Sequence, residues 1–415
     1  MRSVLRFSQG ASMLSTVAVS VGGQIRRLRE AAGLRATDLA EALGVDPSAV
    51  SNLERGRRSV KAAELGTIAG FLGVSQLAIL EPDSLLGRLP VSCRTNGDHR
   101  ADGDARMRLT ALAELHQVLD EGGHRAEVRI GDRPPRLGNW LEHANALADW
   151  ARERISLCAE GSSRLAELAT AIEDALGIDV MVESLGKDAP LGLALTDDEF
   201  SLILVNADQI RSRALFTLGH ELGHVLSGDG ANLSIDRDMR ARTDDERLAN
   251  AFAAAFLMPE QQVRDSIEKH GRSARCLAIM ILSFGVSYET LVYRLHNLGL
   301  INAQGRDRLK GIGCAGLVRH VEDEEDARRL LAASAARPAM RSPRLLTARC
   351  HRGALEGSVG AGPLARLLGA DRDEIIEVID SGHEAAAILN GHYASPKDSP
   401  DQAIQAFDVD PLVAQ

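Results

Sequence analysis

Two histidines four residues apart are the side chains of this sequence best suited to chemistry. His220 and His224 lie in the segment Arg211–Ser227, RSRALFTLGHELGHVLS, whose apolar spacing predicts one long helix. At about 3.6 residues per turn, both imidazoles point from one face of such a helix and can bind one metal ion. Glu221 follows the first histidine directly, so its carboxylate can polarise a bound water. This pattern is typical of a metal-dependent hydrolase.

A catalytic zinc ion usually has three protein ligands, so the third must come from another element. Glu246 is the strongest candidate because it lies at the start of a second predicted amphipathic helix, in DDERLANAFAAAFLMP. Asn250 lies four residues further on the same face, where it can orient a histidine ligand. Asp229 and Asp236 are nearer in sequence but lie in a Gly- and Asp-rich loop, which makes them weaker candidates. A bare HExxH pattern also occurs by chance, but the acidic helix that follows favours a metal site.

Strands are predicted just before this helix. The segments GIDVMVESL and FSLILVN alternate or run apolar with β-branched residues. In zinc peptidases of this layout an edge strand can hold an extended substrate by strand addition. We therefore expect residues 202–205 to lie near the cleft.

The N-terminal part of the chain, residues 22–80, predicts a series of short amphipathic helices. Thr37 is a predicted helix N-cap, Gly44 allows a tight turn after that helix, and Asp46 is a predicted N-cap for the next helix. Two short helices joined by a glycine turn form a helix-turn-helix unit. Its second helix, here about residues 47–55, enters the major groove of DNA.

These residues resemble the Cro/repressor-type (XRE) helix-turn-helix family, down to VSNLERG at the end of the recognition helix. The resemblance implies binding to double-stranded DNA. The residues that would face base edges are Ser48, Ala49 and Asn52. The residues that could meet phosphates are Arg55, Arg57 and Arg58. Ala36 and Pro47 stand where the family often has glutamines, which leaves affinity and sequence preference open, and the alternative is a module used only for dimerisation or protein contact.

The segments LILVNADQIRSRALFTLGHELGHVLSG and ERLANAFAAAFLMP together resemble the ImmA/IrrE family of metallopeptidases over residues 177–259. The resemblance implies that His220, His224 and Glu246 bind zinc and that Glu221 is the catalytic base. Family members typically cleave or inactivate a helix-turn-helix repressor, and some carry a Cro-like domain in the same chain. Manganese or iron in place of zinc stays open.

Composition limits the remaining possibilities. The net charge of −10 does not favour a nucleic-acid or membrane binder overall. No apolar run approaches the ~20 residues that a membrane helix needs. The five cysteines are scattered and form no CxxC pair, which fits free thiols in a reducing cytoplasm.

These observations predict a mostly α protein with a small β-sheet. An all-α helix-turn-helix domain is followed by an α+β zincin-like metallopeptidase domain and a helical C-terminal region. The predicted boundaries are a disordered tail at 1–20, the helix-turn-helix domain at 21–81, a linker at 82–108, the metallopeptidase domain at 109–300 with its core at 177–262, and the C-terminal region at 301–415.

Two functions fit this layout. The first is a cytoplasmic zinc endopeptidase, tethered to a DNA-binding module, that cleaves a repressor or itself. The alternative is a transcription factor whose peptidase-like domain only senses a metal, a ligand or a partner. The intact set of three ligands and one base favours the first. Repressor-type modules commonly bind paired half-sites as dimers, which leaves a homodimer open.

Overall fold

The computed structural model describes residues 21–31, 34–72, 76–80, 99–155, 164–197, 199–228, 233–236 and 243–380. The predicted tail at 1–20 and most of the predicted linker, at 82–98, lie outside the described residues. The chain divides into two compact units, Met1–Arg94 and Thr95–Gln415. The mostly helical class with a small sheet is confirmed.

The first unit is a set of short helices. They are α1 (Val21–Ala31), α2 (Ala36–Leu43), α3 (Pro47–Glu54), α4 (Ala62–Leu72) and α5 (Gln76–Leu80). Each helix directs apolar side chains inward, and Ile25, Leu39, Val50, Leu53 and Ile68 have no exposed surface. This shared core fixes α2 and α3 against each other, as a helix-turn-helix unit requires.

The start of α2 differs from the sequence prediction. Arg35, not Thr37, is the N-cap, and the Arg35 backbone N–H donates to Asp38 Oδ2 at 2.8 Å. Thr37 therefore lies inside the first turn, and the prediction for it is wrong. Gly44 ends α2 in the left-handed region, at φ 62°, which confirms the tight turn.

The second unit is built from long helices around one sheet. Its helices are α6 (His99–Glu121), α7 (Trp140–Arg154), α8 (Arg164–Leu176), α9 (Arg211–Ser227), α10 (Asp244–Leu257), α11 (Glu260–His270), α12 (Ala274–Phe284), α13 (Tyr288–Asn297), α14 (Ala303–Val318), α15 (Glu324–Ala335), α16 (Arg344–Leu355), α17 (Ala361–Leu368) and α18 (Arg372–Asp380). Residues 99–108, placed in the linker by composition, belong to α6. Ala105 and Leu109 are both buried, and a spacing of four places them on one helical face.

The sheet has four strands in the order β1-β3-β2-β4. They are β1 (Asp179–Glu183), β2 (Gly192–Thr196), β3 (Ser201–Asn206) and β4 (Leu233–Asp236). β1 pairs with β3 in parallel, whereas β2 pairs antiparallel with both β3 and β4. β3 is thus an inner strand with both edges paired, so residues 202–205 cannot hold a peptide by strand addition. The expectation that they lie near the cleft stays a prediction.

Buried charges join the C-terminal helices to this sheet. Glu173 on α8 has no exposed surface and accepts from Arg341 Nη2 at 2.6 Å. Asp179 on β1 accepts from the Leu346 backbone N–H at 2.7 Å and lies 3.4 Å from Arg349 Nη2. Burial raises the pKa of Asp179 to about 7, although the Arg349 charge opposes that rise. Residues 341–349 are therefore part of the same folded unit as the strands.

The described helices include no single one that is long and apolar enough to cross a membrane. Only α12 and α13 taken together, bent by 105°, have the necessary length and composition.

Candidate metal centre and nucleic-acid interface

The helix that carries the HExxH pattern is almost wholly buried. α9 has the predicted bounds, Arg211–Ser227, and ends at Gly228 in the left-handed region. His220 and Glu221 have no exposed surface, while the His224 side chain is 10% exposed. Both histidines therefore project from α9 toward the interior, where neighbouring elements can complete a site.

The next helix brings a carboxylate to the two histidines. Thr243 caps α10, and its hydroxyl accepts from the Glu246 backbone N–H at 3.3 Å. α10 can approach α9 closely because Gly223 has no side chain. A Cβ at Gly223 would lie 3.1 Å from both Ala249 Cα and Phe252 Cδ1. The glycine of the HELGH sequence thus sets the distance between the helices.

Three side chains that can bind a metal meet at this contact. His220 Nε2 lies 3.1 Å from His224 Nε2 and 3.4 Å from Glu246 Oε2. His224 Nε2 lies 3.6 Å from Glu246 Oε1. Tetrahedral zinc with bonds of ~2.0–2.1 Å separates its ligands by about 3.3–3.4 Å, so the three spacings fit such an ion. Among the described residues this trio is the group of His, Cys, Asp or Glu side chains that could hold a metal.

The Glu246 carboxylate is suited to bind a cation. Burial raises the pKa of Glu246, but the hydrogen bond and charge of His220 and the charge of His224 outweigh it, so the pKa lies below its usual value. The carboxyl group is therefore ionised near neutral pH.

Strand β2 confines Glu221. A Cβ at Gly192 would lie 2.6 Å from Thr217 Cγ2 and 3.0 Å from both Cγ and Oε1 of Glu221. Only glycine leaves room for the carboxylate beneath the strand. Sequence reasoning missed Gly192, although a glycine at the start of the apolar run GLALT signals a close backbone approach.

Asn250 lies one turn after Glu246 on α10 and lines a cavity together with Arg247. Its predicted role in orienting a histidine stays a prediction. Of the two weaker candidates, Asp236 ends β4 and Asp229 lies outside the described residues.

The predicted recognition helix, α3, is capped as expected. The Asp46 side chain accepts from the Ser48 backbone N–H at 2.8 Å, and Pro47 holds the first helical position. Ser48 and Asn52 are exposed, and Ala49 is half-buried. α3 therefore presents small and polar side chains on its outer face.

The three arginines after α3 differ in their surroundings. Arg55 and Arg57 are exposed, whereas Arg58 is half-buried and ion-paired with Glu64 near the start of α4. Arg58 is therefore committed to an ion pair within the unit. Sequence reasoning also missed a buried pair: Arg29 donates to Glu54 through Nε at 2.6 Å and Nη2 at 3.0 Å, which joins α1 to α3.

Known proteins match both units. Residues 173–296 match the family model described as the IrrE N-terminal-like domain, and residues 20–79 match a helix-turn-helix domain. The radiation response metalloprotease IrrE of Deinococcus radiodurans is 38% identical over 104 residues, which cover 24% of this chain and 32% of the relative. The IrrE of Deinococcus deserti is 36% identical over 104 residues, which cover 24% and 37%.

This chain thus matches about a third of the length of these curated relatives. The metalloprotease family implies a metal ion, and the trio on α9 and α10 is a site able to hold one. The chain therefore combines an N-terminal helix-turn-helix domain with an IrrE-like metallopeptidase-family domain, and the predicted resemblance is confirmed.

Proposed function

We propose that this chain is a DNA-binding regulator fused to a zinc-dependent endopeptidase. The endopeptidase cleaves or inactivates a transcriptional repressor, or the chain itself. The observation that most supports the proposal is the convergence of His220, His224 and Glu246, with spacings of 3.1–3.6 Å, beside Glu221. Two imidazoles and one carboxylate are a ligand set typical of catalytic zinc.

Each residue would have a distinct task. Held by His220, His224 and Glu246, a divalent ion supplies a Lewis acid that activates water for attack on a peptide carbonyl. Glu221 adjoins His220 on α9, so its carboxylate can accept the proton of the water and pass it to the leaving amine. The backbone of β2 at Gly192 limits the space in which that carboxylate can move, so it positions the base.

A second candidate is a transcription factor whose metal site serves only as a sensor of metal, ligand or partner. The low exposure of the metal site favours this sensor. His220 and Glu221 have no exposed surface, and the Glu246 side chain is 19% exposed. A peptide bond could reach such a recessed site only along a neighbouring groove or after the surrounding helices or strands move apart.

Replacing Glu221 with glutamine separates the two candidates. Wild type and Glu221→Gln are purified, their zinc, manganese and iron are quantified, and each is incubated alone and with helix-turn-helix repressors while fragments are followed by mass spectrometry. We expect about one zinc ion per chain in both forms and fragments only with wild type. The matched control is Glu268→Gln, at an exposed position of α11, which should cleave as wild type. Equal metal content with no cleavage by any form would support the sensor.

DNA binding is tested separately through the first unit. We propose that double-stranded DNA contacts the exposed face of α3, through Ser48, Ala49 and Asn52, with Arg55 and Arg57 on phosphates. Selection of binding sites from random duplexes, followed by fluorescence anisotropy, gives the operator. A palindromic operator with half-sites one helical turn apart supports a homodimer, and loss of selection in Asn52→Ala supports direct base contact.

A further inference from the structure

A large cavity of the second unit lies on one side of the metal centre. Its volume is about 1970 Å³, and its walls come from α7, α9 and the helices α10–α15. Pockets for small molecules usually enclose ~300–1,000 Å³. The size therefore suits a segment of polypeptide better than a small ligand.

Helix periodicity connects this cavity with the metal centre. Phe216 lines the cavity and lies one turn before His220 on α9. Asn250 lines it and lies one turn after Glu246 on α10. Residues four apart share a helical face and are separated by about 6 Å along the axis. The cavity thus begins about one turn from the ligands, on the same faces of both helices.

The walls carry an excess of positive charge. The acidic side chains of the lining are Glu260 and Glu289. The basic side chains of the lining are Arg211, Arg213, Arg247, Arg294, Lys310 and Arg329. In a chain with a net charge of −10, this excess does not follow from composition.

Several of these cations are available to a ligand. Arg294 donates to the Met258 carbonyl at 2.9 Å, so it is occupied within the fold. Arg211 and Arg213 form no ion pair with the other described residues, and Arg329 reaches Asp326 only at 4.0 Å. Arginine is the side chain best suited to bind carboxylates through two parallel hydrogen bonds.

We propose that this groove binds an acidic segment of the protein substrate and so guides the neighbouring peptide bond to the metal centre. The inference rests on the proposed peptidase function and names the class of its substrate. Phe216, Ile281 and Tyr293 in the walls supply apolar contacts between the charges, which suits a peptide with alternating acidic and apolar side chains rather than a nucleic-acid duplex.

The test measures binding without cleavage. Full-length Glu221→Gln is titrated into two fluorescein-labelled peptides of equal length and equal apolar content, one rich in Asp and Glu and the other in Lys and Arg, and anisotropy is followed. We expect the acidic peptide to bind at least about tenfold more tightly and to lose affinity as salt screens the charges. A double variant, Arg213→Glu with Arg329→Glu, should weaken that binding by about tenfold or more.

The control reverses a charge outside the groove. Arg308 is exposed on α14 and does not line the cavity, so Arg308→Glu should bind the acidic peptide as the parent does. Arg213 and Arg329 are also exposed, and thermal unfolding checks that the double variant folds.

The possible outcomes separate the two proposals. Equal binding of both peptides, or unchanged binding by the double variant, would overturn the groove proposal even if wild type cleaves proteins. Binding that depends on Arg213 and Arg329 without cleavage by wild type would count against the peptidase alone. If duplex DNA displaces the acidic peptide and its own affinity falls in the double variant, the groove binds nucleic acid and the proposal fails.

Discussion

Replacing Gly192 with alanine should impair the proposed base without removing the metal. The new Cβ would lie 2.6 Å from Thr217 Cγ2 and 3.0 Å from Glu221 Oε1, whereas carbon contacts are comfortable at ~3.5–4.0 Å. Thr217 must therefore yield by about 1 Å and Glu221 by about 0.5 Å. A misplacement of about 1 Å in a reacting group costs up to ~100-fold in rate, so we expect kcat/KM to fall by ~10–100-fold. Overpacking should cost about 1–3 kcal/mol of stability.

The assay follows cleavage of the substrate that Glu221→Gln leaves intact, with metal content and thermal unfolding measured on the same samples. The three atoms nearest to the new Cβ belong to Thr217 and Glu221, so metal content should stay at the wild-type value. Adding Thr217→Ser removes the closest methyl group, keeps the hydroxyl and should restore part of the rate. Gly131→Ala, where a Cβ meets nothing within 4 Å, is the control. Wild-type kcat/KM in Gly192→Ala, or parallel loss of metal and activity, would refute the reasoning.

Three further predictions concern helix packing, DNA binding and pH. Gly223→Ala should weaken metal binding in a competition assay with a chelator, because its Cβ would lie 3.1 Å from α10, whereas Gly219→Ala, with its nearest atom at 3.4 Å, should not. Arg57→Ala should reduce the slope of log affinity against log salt by about 0.9, while Arg58→Ala, which breaks an ion pair, should lower the thermal unfolding temperature and leave that slope unchanged. The raised pKa of Asp179, about 7, means that between pH ~4 and ~7 the folded state keeps a proton that the unfolded state has lost, so this group's contribution to stability falls as pH rises. Urea titrations give the free energy of unfolding of Asp179→Asn and of wild type at each pH. The stability of the variant minus that of wild type should rise by about 2–3 kcal/mol from pH 5 to pH 8. If this difference does not change with pH, the pKa of Asp179 is not raised in the folded state.

Local patterns predicted the parts of this protein that depend on neighbours in sequence. The bounds of α9 follow from apolar spacing, the cap at Asp46 from residue type, and the predicted third ligand Glu246 from its place in the second amphipathic helix. Each of these features lies within one or two helical turns, where periodicity and capping rules apply.

Contacts between distant segments could not be predicted in this way. The approach of Gly192 to Glu221 depends on how β2 lies over α9, and the pair of Arg29 with Glu54 depends on how α1 crosses α3. The spacing of residue types along a single sequence does not determine how one helix or strand packs across another. The inner position of residues 202–205 could not be predicted for the same reason, since strand order is a property of the sheet and not of any single strand.

The buried charges between the sheet and the C-terminal helices set the smallest fragment that can fold. The stretch that matches the IrrE-like family ends at residue 296, yet Glu173 and Asp179 find their partners at Arg341, Leu346 and Arg349. A polypeptide cut at the end of the match would remove the Arg341 guanidinium from Glu173 and the Leu346 and Arg349 donors from Asp179, and breaking a buried charge pair is strongly destabilising. Such a piece should be insoluble or loosely collapsed even though it contains every proposed metal ligand. The stretch that matches the family is therefore shorter than the unit of folding, and dissection of this protein should keep residues 341–349 with the strands.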